Sequence, residues 1–517
     1  MGIMKFHVPT GGAIPGELDL GRAYLIGPED EPIRSQMRAF DDLLFCEKRV
    51  EGSAALVLPC TIPEVGRVML GTTHLPERER PYNLLVELLR GRLEHDWRKR
   101  EDWGYAYAGP TREFLERFGA LKRKFAGALS AGDSPERASA LAAEGLKEAV
   151  LLGEELALEH ARRGLVYRRD HRELVHLDFG CRIEPDCREK PYQDRLSESF
   201  NYATLPLTWR AIEPKEQEFQ WAPLDYWVGW LSEKGLAIKA GQLLRFTEQC
   251  VPDWLYIWET DFESIRDYAF EHVLRCVKRY GSKIEHWDIA TGLHVENCLK
   301  FSLEQIMEMT QMSARVVKKN APRAKAVLEV VMPWGDYVAR NPRSLWPLRY
   351  LEMCVNNNVE FDAVGLQIFL GAEDFHCRDV LEVSALLDLF GSFGKSVHVT
   401  AAGVPSAAGP DALDSSGGKR DVAAGGWWHR PWDQSVQSQW VDWFYHIAVG
   451  KPFVTAVSWA ELSDRQGHAF PHAGLLTAKL TPKESHAMML GMKKEIWPEG
   501  GIPEALPAEP TRPWAEY

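Results

Sequence analysis

Glu329 stands in the middle of the otherwise apolar run "VLEVVM", where a carboxylate is costly to bury unless it is paired or its pKa is raised. Three more carboxyl groups sit where a short apolar run gives way to a loop: Asp288 in "HWDIAT", Glu296 in "GLHVEN" and Glu461 in "VSWAEL". Groups of this kind transfer protons or attack as nucleophiles when two of them converge on one bond. Each also has a plain structural reading. Asp288 can bond backbone inside the fold, and His294 and Glu296 can belong to a solvated loop. His398, inside "SVHVT", can be a satisfied interior histidine. Metal chemistry is not signalled, because His468 and His472 lie four apart but Pro471 forbids the helix that would align them. A phosphate-cradling glycine loop and a Gly-x-Ser-x-Gly nucleophile turn are both missing, so no cofactor is expected.

Such groups need a scaffold that brings strand ends together, and the chain shows one. After residue 174 it repeats a short apolar strand, a loop and an amphipathic helix, with eight candidate strands at 174–183, 200–207, 236–246, 284–291, 324–332, 363–369, 396–404 and 453–462. Eight such units predict an α/β fold, a (β/α)₈ TIM barrel over 174–498 whose site lies at the carboxyl ends of the strands. The Gly-rich insertion 403–433 follows the seventh strand, so it is expected to overhang that site as its most mobile element. Ahead of the barrel, short apolar runs between Gly, Pro and charged turns predict a small antiparallel β-domain within 1–81. A helical segment, 82–173, follows, with helices near 82–103, 111–129 and 135–163, the last announced by Ser134 as N-cap and Pro135 at its first position. Residues 499–517 form a Pro-rich tail.

Composition narrows the partners. The net charge of −13 argues against nucleic acid or an anionic membrane surface, both of which need a basic face, and a neutral ligand fits better. The 19 Trp fit either a large aromatic-lined cleft or buried packing. Nine scattered Cys without a Cys-x-x-Cys pair signal neither a disulfide framework nor zinc. The amino terminus lacks the basic segment and apolar core of a secretory signal, and no run approaches a membrane span, so a cytoplasmic protein is expected. The oligomeric state is not legible.

Several stretches, in order and on the right strands, resemble the family 10 glycoside hydrolases, the retaining xylanases, over roughly 175–498. They are "FNYATLPLTWRAIEP" with Trp209, Glu213 and Pro214, "VPDWL" at 251–255, "HWDIA" at 286–290, "VGLQIF" at 364–369 and "VSWAELSDRQGH" at 457–468. The resemblance implies a β-linked glycan or oligosaccharide as ligand. Together with position at the strand ends, it makes Trp209, Gln242, Trp287, His294, Gln367, His398, Trp459 and Asp464 candidates for substrate binding, and the resemblance makes Trp459 a wall of the sugar site. It also exposes a departure. Retaining glycosidases use two carboxyl groups, one as acid/base and one as nucleophile. The family's acid aligns with Gly292 and its nucleophile with Ala401, and neither residue can do that work. Other sugar contacts also differ, with Gln242, Phe246, Pro206 and Leu207 at family positions. Two readings stay open: a glycosidase whose carboxylates have moved to a subset of Asp288, Glu296, Glu329 and Glu461, or an inactive barrel kept for sugar binding or assembly.

Overall fold

Runs rich in Val, Ile, Ala and Leu form eight strands: Asp178–Arg182, Tyr202–Pro206, Ala237–Gly241, His286–Thr291, Lys325–Val330, Ala363–Phe369, Ser396–Gly403 and Val454–Trp459. Each pairs in parallel with the next, and the eighth closes on the first. They are called barrel strands one to eight below. The computed structural model describes residues 2–8, 18–104, 112–295 and 297–498.

Eight helices follow the strands in turn, among them Phe262–Tyr280, Leu303–Asn320, Val380–Gly391 and Gln434–Gly450, which form the outer ring. Several begin on side chains that satisfy their free N–H groups. Ser302 and Gln305 make a reciprocal capping box, and Asp261, Asp379 and Asp433 each accept from the first turn. Ser134 does not act this way. Pro135 opens the helix Pro135–Asp170, but the Ser134 side chain accepts no bond from it, and the helix runs through Gly164, past the expected residue 163, to Asp170.

The amino-terminal strands form two sheets. In one, Ser35–Phe40, Leu43–Lys48 and Gly2–His7 run antiparallel, and Tyr82–Asn83 adds a parallel edge. The other is ordered Trp427–Trp428, Gly66–Gly71, Ala55–Ile62, Tyr24–Ile26 and Pro32–Ile33. Its outer strand therefore comes from the insertion after barrel strand seven. Gly66 permits the pairing, since its φ is +106° and a Cβ there would lie 2.2 Å from the Trp427 carbonyl.

The helical segment consists of Leu84–Asp102, Arg112–Ser130 and Pro135–Asp170, and the last helix packs on both others and on barrel helix Gln434–Gly450. At that crossing a Cβ on Gly164 would sit 2.2 Å from the Gly450 carbonyl, so the backbones touch. Buried polar groups fix the contact. Arg168 donates to the carbonyls of Val449 and Lys451 at 2.6 and 2.8 Å, closing the end of the barrel helix. Arg92 pairs with Asp96 at 2.9 Å and with Asp379 at 2.7 Å, and the Glu154 carboxylate accepts from the Trp428 indole at 2.7 Å. One apolar core runs without a break from Met4 to Trp497.

The insertion is anchored at three places rather than hanging free. Trp427–Trp428 joins the amino-terminal sheet, Asp411 meets His468 and His472 at 2.9 and 3.1 Å, and the Asp421 carbonyl accepts the Glu373 N–H at 2.8 Å. Between these anchors Arg420 is carried to the mouth of the barrel. No helix among the described residues is long and apolar enough to cross a membrane.

Replacing Arg92 by Met leaves Asp379 and Asp96 buried without their cation, and loss of one partner of a buried pair costs about 3–5 kcal/mol. Arg92→Met is expected to lower the denaturant midpoint by a corresponding amount. An unchanged midpoint would show that this pair does not hold the helical segment to the barrel.

Candidate functional site at the carboxyl end of the barrel

The floor of the site is a buried charge cluster. Lys239 on strand three, Asp288 on strand four and Glu329 on strand five all turn inward, and each side chain is at most 3% exposed. The Lys239 ammonium lies 2.9 Å from Asp288 Oδ2 and 3.9 Å from Glu329 Oε1. Asp288 packs so closely over strand three that a Cβ on Gly241 would fall 1.9 Å from its Oδ2, which makes that glycine a requirement. Glu329 Oε2 accepts from the Thr291 hydroxyl at 2.7 Å and from the Gln242 amide at 3.4 Å.

These surroundings separate the two acids. Burial, reinforced by the negative charge of Glu329, pushes Asp288 up to about 8 against the pull of Lys239. Burial acts on Glu329 in the same direction, but Lys239, the hydroxyls of Thr400 and Thr291 and the charge of Arg245 together bring it below the ordinary carboxylate value. One ammonium thus faces a carboxyl group that holds its proton and another that has lost it.

Above the floor lies a cavity of about 110 Å³. Gln242, Gln367, Glu329 and Thr400 present polar atoms to it, Ala401 lines it from strand seven, and Arg182, Arg245 and Arg420 stand around it. Its apolar wall is a cluster of three rings. Phe369 stacks on Phe470 with centroids 4.8 Å apart, and Phe375 meets both edge-on at 5.7 and 5.6 Å. Behind Arg182, the buried Glu461 carboxylate contacts that guanidinium at 3.2 Å and accepts the Ala469 N–H at 2.8 Å, and burial raises its pKa.

Of the residues singled out in the sequence, Asp288, Glu329, Gln242 and Gln367 reach the cavity. Glu461 supports it from behind, and Glu296 lies outside the described residues. The other candidates are placed elsewhere. Trp459 is fully buried, donates to the Ala473 carbonyl at 2.8 Å and packs near Trp440 and Tyr445, so it is no wall of the cleft. Side chains alternate along a strand, and Trp459 takes the side facing barrel helix Gln434–Gly450 while Ala460 takes the cavity. Trp287 is likewise fully buried and does not line the cavity, because its neighbour Asp288 occupies the inward side. Trp209 donates to Glu213 at 3.0 Å and stacks on His272. His294 bonds the Val331 carbonyl at 3.0 Å and stacks on Tyr350. Asp464 accepts the Gly474 N–H and pairs with Lys483 at 2.5 Å. His398 lies below the floor, edge-on to His286 at 5.0 Å, with burial holding its pKa well below the usual value.

Gly292 and Ala401, the residues the sequence resemblance sets against the family's acid and nucleophile, also differ from each other. Ala401 faces the cavity, whereas Gly292 has φ +64° and a Cβ there would lie 2.8 Å from a Val331 methyl. A glutamate at 401 would enter the cleft, and one at 292 would be strained. The sequence reading missed Lys239, the three arginines and the phenylalanine wall. Lys239 carried the same signal as Glu329, a lone charge within an apolar strand, in "LAIKAGQLL". No cluster of metal-binding type occurs among the described residues.

Comparison with known proteins bears on this site. The family profile described as glycosyl hydrolase family 10 matches residues 170–412. Endo-1,4-beta-xylanase 1 of Gibberella zeae is 23% identical over 197 residues, 37% of this chain and 53% of that protein. Endo-1,4-beta-xylanase A of Fusarium oxysporum is 23% identical over 83 residues, 16% of this chain and 25% of that protein. This chain therefore spans about half the length of the first of these relatives and a quarter of the second. Among solved structures, xylanase 10B of Thermotoga petrophila in complex with xylobiose aligns at 15% identity and TM-score 0.47, covering 63% of this chain and 98% of that one. A family 10 protein from Paenibacillus barcinonensis aligns at 14% identity and TM-score 0.47, covering 62% and 97%.

The separated acids make stability depend on pH. Asp288 binds its proton more tightly folded than unfolded, so its contribution is complete below the ordinary value of 3.8 and is lost as pH rises to about 8. Asp288→Asn cannot titrate and is expected to flatten that decline, by at most about 1.4 kcal/mol per pH unit. Denaturant midpoints measured across this range for both proteins check it; parallel curves would contradict it.

Proposed function

The barrel is a xylanase-like barrel of glycosyl hydrolase family 10, and we propose from that premise that it binds a β-linked glycan or oligosaccharide at its carboxyl end without running the family's double displacement. The observation that carries the reading is the cavity itself. Gln242, Gln367 and Glu329 offer donors and acceptors on one side, and Phe369, Phe375 and Phe470 offer an apolar face on the other. A pyranose ring has the matching character, hydroxyls at its edge and C–H bonds on its faces.

Catalysis by the usual route lacks its groups. Gly292 and Ala401 stand at the positions of the acid and the nucleophile. The carboxyl groups nearest the cavity, Asp288 and Glu329, sit on neighbouring strands in a shared pair with Lys239 rather than on opposite sides of the cleft. Two acids that flank a sugar bond would have to come from strands across the barrel, as four and seven do, and on strand seven Ala401 faces the cavity. Withdrawing the Glu329 charge to attack a sugar would also leave the Lys239 ammonium short of a counter-ion.

A second reading rests on one specific feature. Asp288 keeps its proton while Glu329 has lost its own, the division of labour that acid and base need. Their oxygens, both near one ammonium, lie no more than roughly 7 Å apart, a bound that is compatible with the spacing of hydrolytic carboxylate pairs.

Two measurements separate the readings. Titration calorimetry against xylobiose and cellobiose is expected to detect binding at millimolar concentration, weakened about tenfold in Gln367→Ala. Prolonged incubation with xylan is expected to release no reducing ends above the level of a Glu329→Gln control. Turnover abolished by Glu329→Gln would establish the relocated-acid enzyme instead, and absence of binding by either sugar would remove the carbohydrate reading.

A further inference from the structure

The cavity has a feature that a neutral sugar does not explain. The chain carries a net charge of −13, yet three guanidinium groups and a buried ammonium converge on this one small space. The carboxylates there do not balance them. Glu461 is taken up by Arg182, and the Lys239 ammonium is shared by Asp288 and Glu329. Arg245, half-buried in the lining, has no ion pair or hydrogen bond among the described residues. Arg420 gives one N–H to the Ala469 carbonyl at 2.8 Å and lies beside Phe375 and Phe470, and it too has no ion pair among the described residues.

Arg245 and Arg420 therefore both line the cavity without a direct ion pair among the described residues, and the nearest ionised carboxylate in that lining, Glu329, already faces Lys239. Burial lowers the pKa of Arg420, the nearby acids Asp414, Asp374 and Glu373 partly restore it, and the charge of Arg245 lowers it again. Like charges held together in a partly dry site are destabilising unless an anion joins them. Guanidinium is also the group best suited to grip an oxyanion through paired N–H bonds, and each of these two has donors free for that purpose. Arg420 also lies 5.6 and 5.8 Å from the ring centres of Phe375 and Phe470, which places it at the edge of the apolar wall.

We propose that this cavity is specific for a sugar bearing an oxyanion, a carboxylate as in a uronic acid or a phosphate ester, held between Arg245 and Arg420 while the ring lies against Phe369 and Phe470. The assignment rests on the carbohydrate reading above and adds the charge of the ligand to it. It also accounts for the insertion, whose anchors deliver Arg420 to the mouth.

The test is titration of the full-length protein with four probes: xylobiose and glucose as neutral sugars, glucuronate and glucose 6-phosphate as anionic ones. At least one anionic probe is expected to bind tenfold or more tighter than glucose, and comparison of the two identifies which oxyanion the site takes. Arg245→Gln and Arg420→Gln are each expected to weaken that anionic probe about tenfold while changing neutral-sugar affinity less than twofold. Should either variant fold poorly by thermal unfolding, the salt dependence of the unaltered protein serves in its place. Raising sodium chloride from low to high concentration is then expected to weaken only the anionic probe. Neutral probes binding as tightly as anionic ones, or anionic binding indifferent to both the substitutions and salt, would overturn the proposal and leave the carbohydrate reading intact. Binding by none of the four would overturn both.

Discussion

A lysine with no exposed surface lies at the centre of this barrel, and its charge must be answered from within. Lys239 has Asp288 on one neighbouring strand and Glu329 beyond it, so three consecutive strands are locked in register by a single ammonium. A buried pair of this kind adds little net stability, but removing one member leaves an uncompensated charge. The consequence for the site is direct. The acids nearest the cavity are spoken for, Glu329 ionised and Asp288 protonated, and they form the floor rather than two opposed arms. On strand seven, Ala401 lines the cavity and leaves space there.

What surrounds that floor comes from far apart in the chain. Arg182 ends strand one, Arg245 follows strand three, and Arg420 arrives on the insertion after strand seven. The insertion is held by the amino-terminal sheet through Trp427–Trp428 and by Asp411 against the loop after strand eight. Glu154, from the long helix of the helical segment, binds the same Trp428 and its neighbour His429. The amino-terminal third of the chain thus serves as a brace for a loop of the cleft, and its continuous core with the barrel gives the brace rigidity.

Much of this was legible in the sequence, and the limits have physical reasons. The eight strands stood out because each is a short apolar run bounded by loop residues, and the carboxyl-end location of the site follows from the parallel order alone. Glu329 was conspicuous as a lone charge in "VLEVVM"; Lys239, its partner, had the same pattern and was passed over. Trp459 misled because motif position does not tell which side of a strand a residue takes, and a one-residue difference in alternation puts an indole among the helices instead of the cleft. Phe375 and Phe470 lie in loops after different strands, and only the closed barrel brings them together with Phe369. Arg420 was unreadable for the same reason, since no local pattern within a glycine-rich loop says where its anchors lie.

The central claim is that a sugar ring occupies the space between the glutamine side chains and the phenylalanine wall, above the lysine-centred floor. A crystal structure of the protein soaked with xylobiose tests it most directly. The account predicts density for a pyranose ring in the cavity, within hydrogen-bonding distance of Gln242 or Gln367 and packed on Phe470. Density confined to another surface, with this cavity holding only water, would contradict it.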